Sequence, residues 1–274
     1  MSEPSLGDRV SRATLNWKRW VLSKQPGLIW GPRRMFGAYP EPEIALIALL
    51  CEPAQTMVDI GCSFGMWSYF ARPHVARVVA FEPLPHLANA LRSGFGERVE
   101  VHQVALSSEP GMAQITMPAL QWGYSTIEQN NDLHGKVNEA FGFQTFDVEK
   151  RTVDSYDLRD VGFMKVDTEG HEASVLLGAR ETLGREKPPL IVETEERHNA
   201  GSVGEVSRIA AELGYRRFFL QQGQLRDGRE FSVEKNQDMA NQRDYVRNLI
   251  FLHEPHLAKL RAAKKLPFAL PAAS

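Results

Sequence analysis

From about residue 41 onward the chain alternates two kinds of apolar pattern. Short runs rich in β-branched and aromatic residues fall at 56–61 (TMVDIG), 75–83 (VARVVAFEP), 99–106 (VEVHQVAL), 162–168 (GFMKVDT), 189–195 (PLIVETE), 215–221 (YRRFFLQ) and 247–253 (RNLIFLH), and each predicts a strand. Between most of them, apolar residues recur at spacings of three and four. Glu172, Val175, Leu176, Ala179 and Leu183 show that spacing, which puts the apolar members on one face of a single helix that Gly184 can end. Strands alternating with helices predict an α/β fold: a mainly parallel sheet covered on both sides.

Three stretches break the rhythm. Residues 111–156 hold two further strand-like runs, GMAQITM and FQTFDVEKRTVDSY, around a polar and aromatic insert, and an excursion that long is more often functional than a mere connection. Residues 1–38 form an arm, with seven Lys or Arg against two acids up to residue 37, interleaved with Trp17, Trp20, Trp30 and Phe36. Its composition suits either peripheral contact with an anionic membrane or, as the simpler reading, aromatics packed on the core or on a second subunit. The basic, Ala-rich tail at 254–274 reads as a frayed appendage, which leaves 39–253 as the domain proper.

Composition narrows the partners. A net charge of −2 over 274 residues gives no global pull toward nucleic acid. The two cysteines, Cys51 and Cys62, form no Cys-x-x-Cys pair, so neither a disulfide framework nor a zinc site is expected and a cytoplasmic setting fits best. The longest apolar run, at 44–51, is too short to cross a bilayer.

The first strand carries the first chemical signal. VDIGCSFGMWSYFA reads as strand, Gly61, Gly65, then helix, and in an open α/β sheet a ligand sits where the first strand turns into its helix. A dinucleotide fingerprint wants glycine where this chain has Ser63 and Met66, which counts against the NAD-dependent oxidoreductase alternative. Glu82 ends the next strand, 21 residues beyond Gly61, where a carboxylate can accept both ribose hydroxyls. Asp59 would repel a pyrophosphate but could face an ammonium, directly or through water. Together these residues favour S-adenosylmethionine as cofactor.

The second signal lies in FMKVDTEGHE. A parallel strand buried on both faces should be continuously apolar, yet Lys165 and Asp167 alternate onto one side, and burying either charge unpaired would cost several kcal/mol. They either pair with each other at the strand end or mark an active site crowded by Asp167, Glu169 and His171. LIVETEERH repeats the theme one strand later, with Glu193, Glu195 and His198. Two neighbouring strand ends with acids and a histidine make a case for chemistry. Asp167, His171, Glu193 and His198 are the catalytic candidates, and Lys165 and Glu169, with Trp122 and Tyr124 of the insert, are the candidates for acceptor contact. Phe141 and Phe143 could extend an apolar platform for a sugar ring or macrocycle. Magnesium bridging Asp167, Glu169 and Glu193 is the less favoured alternative, and no metal site is assigned.

The motifs YPEPEIALIALL, MVDIGCSFGMWSYFA, VVAFEPLPHLANALR, VALSSEPGMAQI, WGYSTI, RTVDSY, VGFMKVDTEGHEASVLLGARETL, LIVETEERH and RNLIFL occur in the order seen in FkbM-like methyltransferases, which the chain resembles over roughly residues 39–253. The most specific part is Lys-Val-Asp-x-Glu-Gly-x-Glu followed by Val-Leu-x-Gly-Ala. The resemblance implies a class I methyltransferase fold, Rossmann-like, with a seven-stranded, mostly parallel sheet whose last strand is antiparallel, an N-terminal helical arm and a β insert before strand 4. It implies methyl transfer from S-adenosylmethionine, leaving S-adenosylhomocysteine, to a hydroxyl of a sugar, a lipid-linked or other glycan, or a natural product. By position, Asp59, Gly61, Gly65 and Glu82 would line the cofactor, joined by Tyr39, Ser63, Ala105 and Ser125. Where the family usually has Gly-Ala-Asn-x-Gly, this chain has Cys62 and Ser63 in the second and third places. The rival outside enzymology is a cofactor-binding partner subunit that has lost catalysis, and a homo-oligomer is compatible with either reading.

Overall fold

The computed structural model describes residues 17, 20, 21, 24–35, 39–118 and 143–271. Eight strands form the main sheet: β1 (Thr56–Ile60), β2 (Arg77–Phe81), β3 (Val99–His102), β7 (Val161–Val166), β8 (Leu190–Glu193), β9 (Arg216–Gln221), β10 (Gln224–Asp227) and β11 (Asn248–Leu252). Their spatial order is β10-β9-β11-β8-β7-β1-β2-β3. β11 runs antiparallel to both β8 and β9, as the resemblance implied for the last strand. The eighth strand was not expected. QLRD at 224–227 has one buried apolar residue, Leu225, and the turn before it is Gln222-Gly223, both at positive φ (51° and 71°), so the hairpin lacks the Asn-Gly or Asp-Gly that announces such turns.

A second, three-stranded sheet, ordered β4-β6-β5, is built from β4 (Ala105–Leu106), β5 (Gly111–Pro118) and β6 (Phe143–Arg151). The single strand expected at 99–106 is therefore divided between two sheets. It pairs with β2 through residue 102 and with β6 from residue 105. The two insert strands expected within 111–156 pair along their whole length.

Helices cover both faces. On one side lie α2 (Ala45–Leu50), α3 (Met66–Ala71), α4 (Pro85–Phe95) and α8 (Glu254–Ala262), which bury Leu46, Ile47, Phe70, Leu91 and Leu260 against the sheet. On the other lie α5 (Glu172–Leu177), α6 (Arg180–Glu186) and α7 (Ser202–Glu212), with Val175, Leu176, Leu183, Val206 and Ile209 inward. The tail is not frayed: Leu257, Leu260 and Phe268 are buried, and Leu225 N–H donates to the Ala269 carbonyl at 2.8 Å. In the arm, α1 (Gly27–Met35) docks Trp30 Nε1 on the Phe64 carbonyl at 3.2 Å, while Trp17 and Trp20 remain 58% and 61% exposed. Among the described residues no helix is long and apolar enough to cross a membrane.

The helix expected from 172 to 183 is two helices, and Gly184 sits inside the second. The break falls at Gly178, where a Cβ would stand 2.0 Å from the Ser107 carbonyl oxygen. Asp154 then caps the new start, its Oδ1 accepting from Thr182 N at 2.8 Å and Thr182 Oγ1 at 2.7 Å. Gly178→Ala is expected to cost about 2 to 4 kcal/mol because a backbone carbonyl cannot give way. Gly204→Ala in α7, where a Cβ meets nothing within 4 Å, is expected to gain about 0.5–1 kcal/mol from helix propensity. Urea midpoints of the two variants check both signs.

Candidate active site

The heads of β1, β2, β7 and β8 open onto a cavity of about 300 Å³. Gly61, Ser63, Glu82 and Ala105 line it on one side and Asp167, Glu169, His171 and Glu193 on the other, so eight of the residues expected from sequence share one space. Ile60, Phe81, Val104, Leu106 and Ile115 give it an apolar wall.

The β1 loop is held by the protein's own packing. Gly61 is at φ +73°, and a Cβ there would lie 1.8 Å from the Asp167 carbonyl oxygen, because Asp167 N–H donates to the Ile60 carbonyl at 3.0 Å as β7 ends alongside. Gly65, at φ +68°, does not line the cavity. Its missing side chain makes room for Leu91 and Phe95 of α4, both 2.7 Å from an ideal Cβ. Ser63 reaches Glu82 through its backbone N–H, 2.9 Å from Oε2, with φ at +47°. Leu84 N–H donates to the other oxygen, also at 2.9 Å. Burial raises the Glu82 pKa to about 7 against these two bonds.

Asp59 is 1% exposed and points away from the cavity wall. Its Oδ2 accepts from Ser68 N at 2.9 Å and Ser68 Oγ at 2.6 Å, which ties the first turn of α3 to β1. Burial raises its pKa to about 6. Tyr39 is 40% exposed, packs edge-on against Phe70 with centroids 5.5 Å apart, and is not in the lining. Ser125, Trp122, Tyr124 and Phe141 lie outside the described residues, as does the side chain of Phe143.

Beneath the opposite wall lies Lys165, 1% exposed although every other position of β7 is apolar or glycine. Its ammonium donates to Asn248 Oδ1 at 3.1 Å and to the Val166 carbonyl at 3.3 Å, and faces Asp167 at 3.5 Å and Glu193 at 3.6 Å. The ion pair with Asp167 expected from sequence therefore forms, and it lies beneath the cavity. Lys165 itself does not line the cavity. Burial alone would lower its pKa, but Asp167, Glu193, Glu41 and Asp59 outweigh that and raise it. The Asp167 and Glu193 carboxyls share a hydrogen bond, and burial with the nearby Asp167 charge raises Glu193 to about 7.

Glu169 stands at φ +47°, a strained conformation for a side-chain-bearing residue. The loop is held by Glu172, whose Oε1 accepts from Gly170 N at 2.9 Å and Thr168 N at 3.2 Å, and by Asn199 Nδ2 on the Gly170 carbonyl at 3.1 Å. Burial, and then Asp167, Glu193, Glu172 and Glu195, push the Glu169 carboxyl well above its usual range. His198 stands behind the wall, Nε2 3.1 Å from Glu169 and 3.3 Å from Glu195. His171 does line the cavity and contacts Ser107 Oγ at 3.0 Å. No cluster of three His, Cys, Asp or Glu able to hold a metal ion occurs among the described residues. Asp167 and Glu193 both face the Lys165 ammonium, and with Glu169 they line the same cavity.

Sequence reasoning passed over Glu41, Arg197 and Arg247, all in the lining. Glu41 Oε2 accepts from Asn248 Nδ2 at 3.0 Å and Trp67 Nε1 at 3.2 Å, and nothing in YPEPE announces it. Arg247 had a signal: an antiparallel strand starts where its parallel neighbours end, so the first residues of β11 must lie at the head of β8.

None of the curated protein sequences matches the chain. Of solved structures, an FkbM methyltransferase from Methylobacillus flagellatus KT superposes with a TM-score of 0.46 and 16% identity, over 73% of this chain and 44% of that one. An rRNA methylase from Streptococcus thermophilus gives 0.42 and 8%, over 78% and 96%. A precorrin-6y C5,15-methyltransferase from Geobacter metallireducens GS-15 gives 0.39 and 11%, over 77% and 85%. The methyltransferase FkbM domain model matches residues 59–217, more than half of the 274, from the strand that carries Asp59 through both acidic strand ends. The chain belongs to the FkbM methyltransferase family.

Proposed function

We propose that the protein transfers a methyl group from S-adenosylmethionine to a hydroxyl oxygen of a sugar, glycan or natural-product acceptor. The observation that carries this reading is the pairing, across one cavity, of a buried strand-end carboxylate at Glu82 with a carboxyl pair at Asp167 and Glu193. The residues fit the cofactor. Each Glu82 oxygen accepts a single backbone N–H, which leaves acceptor capacity for two ribose hydroxyls. The apolar wall beside it, Phe81, Val104 and Leu106 among others, suits a purine ring. When bound, the cofactor supplies an electrophilic methyl group on a sulfonium.

The rest is the chain's own work. A hydroxyl acceptor must be oriented and must lose one proton. Glu193 is the base this reading favours: it lines the cavity, and a pKa of about 7 matches a general base near neutral pH. Asp167, fixed by Lys165, holds the acceptor hydroxyl or an adjacent one. His171, on Ser107, borders the same space, whereas His198 acts through Glu169 and is a positioning residue. Asp59 supports the loop from behind by capping α3.

Glu82→Gln is expected to weaken S-adenosylhomocysteine binding by about 1.5–3 kcal/mol, roughly 10- to 150-fold in titration calorimetry, because charge-assisted bonds to the ribose become neutral ones. A wild-type protein that takes up neither S-adenosylmethionine nor its product would remove the reading altogether. For the base, the rate should fall as pH drops below about 7, because Glu193 must be unprotonated to accept, and its pKa is raised to that value. Glu193→Gln should lower kcat by about 10²- to 10⁴-fold and flatten that limb while leaving the donor's KM nearly unchanged. A retained limb would transfer the role to His171.

A further inference from the structure

The cavity reads as acidic, but its charges are not distributed that way. At the end formed by β7, β8 and β11, Lys165 faces Asp167 at 3.5 Å and Glu193 at 3.6 Å, and burial favours the neutral form of the Glu193 carboxyl. Glu195 is matched by Arg197, whose Nε and Nη2 grip its two oxygens at 2.8 Å and 2.9 Å, and Tyr245 Oη also donates to it. His198 stands between Glu195 and Glu169, and burial favours the neutral form of the Glu169 carboxyl. Glu41, also in the lining, accepts from Asn248 and Trp67, and burial favours the neutral form of its carboxyl. The cation left over is Arg247, which lines the cavity, is exposed to solvent, and makes no ion pair or side-chain hydrogen bond among the described residues.

Its place in the sheet sets what it can reach. β11 lies three strands from β1, past β8 and β7, so at about 4.8 Å per strand Arg247 begins on the order of 14 Å from the glycine loop, and the guanidinium stem brings it part of the way back. The carboxyl pair that would handle the acceptor hydroxyl lies between the two. The distance from that pair to Arg247 is therefore about the span of one sugar ring with a substituent. A guanidinium offers a planar fork of donors that matches phosphate and carboxylate alike.

We propose that Arg247 receives an anionic group, phosphate or carboxylate, on the methyl acceptor, so that the natural substrate is an acidic or phosphorylated sugar-like molecule and not a neutral one. The inference rests on the methyltransferase reading and narrows its substrate class. Arg197, already neutralised by Glu195, shapes the rim without adding net charge, and Arg247 discriminates.

The test uses the full chain saturated with S-adenosylhomocysteine and three calorimetric probes: methyl β-glucuronide, glucose 6-phosphate and the neutral methyl β-glucoside. At least one acidic probe is expected to bind about tenfold more tightly than the neutral one, with the stronger of the two acids identifying carboxylate or phosphate. Arg247→Gln should abolish that margin and Arg247→Lys should keep part of it, with S-adenosylhomocysteine affinity and the thermal midpoint unchanged in both. The margin should also shrink as salt rises from about 50 mM to about 500 mM. Equal binding of all three probes, no binding of either acid, or a margin that survives Arg247→Gln overturns the inference alone. Failure to take up S-adenosylhomocysteine at all overturns the methyltransferase reading, and this inference with it.

Discussion

The structure is organised around one ammonium group. Lys165 is the fifth residue of a six-residue strand that is buried throughout, a setting in which an uncompensated charge would cost several kcal/mol. Its compensation comes from three directions: Asp167 just past the end of the same strand, Glu193 on the neighbouring strand, and Asn248 on β11 beyond that. Asn248 passes the connection to Glu41, 207 residues away in sequence, which in turn accepts from Trp67 of α3. The floor of the cavity is thus one bonded set that draws on β7, β8, β11, α3 and the segment before α2. Removing Lys165 would leave Asp167 and Glu193 facing each other without their cation, so the set favours one arrangement of the strand ends.

That constraint explains why the family's most specific motif reads as it does. In Lys-Val-Asp-x-Glu-Gly-x-Glu, Lys165 and Asp167 are the ion pair, and Val166 between them faces the other side of the sheet, into the core. Glu172 is spent on the backbone N–H groups of Thr168 and Gly170. Gly170, at φ +99°, permits the turn, and Glu169 is carried to φ +47°, a strain the surrounding bonds hold in place. The motif is a folding instruction for a loop as much as a set of reacting groups.

Much of the parallel framework was legible from periodicity, because strands buried on both faces appear as apolar runs whatever their neighbours do. The small sheet's two long strands were legible too. Residues 99–106 were not, since the run stays apolar across a change of sheet, and the period says nothing about which partner a strand takes. The split at Gly178 was invisible because its cause is the Ser107 carbonyl, 71 residues earlier. At the site, residues that end consecutive parallel strands were found, since topology alone puts them together. Glu41 enters from outside that rule and was missed. Asp59 stands out in the sequence, but a strand-end carboxylate can serve a ligand or the next helix, and the bonds of its Oδ2 to Ser68 could not be read from sequence.

The same bonded floor decides how much each group can contribute to chemistry. Orientation of reactants can supply about 7–11 kcal/mol, whereas a positioned base adds about 10²- to 10⁴-fold, or roughly 3–5 kcal/mol. A site that relied on its base would need a flexible, accessible carboxylate. Here the carboxylates are the opposite, each fixed by at least one buried partner, and Glu193 is only 19% exposed. Rigidity of that kind is worth most for aligning an acceptor oxygen with a donor, an in-line geometry that tolerates little lateral error. The buried lysine is then a positioning device: its ammonium favours the charged form of Asp167 and holds it in place, while burial and the Asp167 charge raise the Glu193 carboxyl to about 7, where it can exchange a proton near neutral pH.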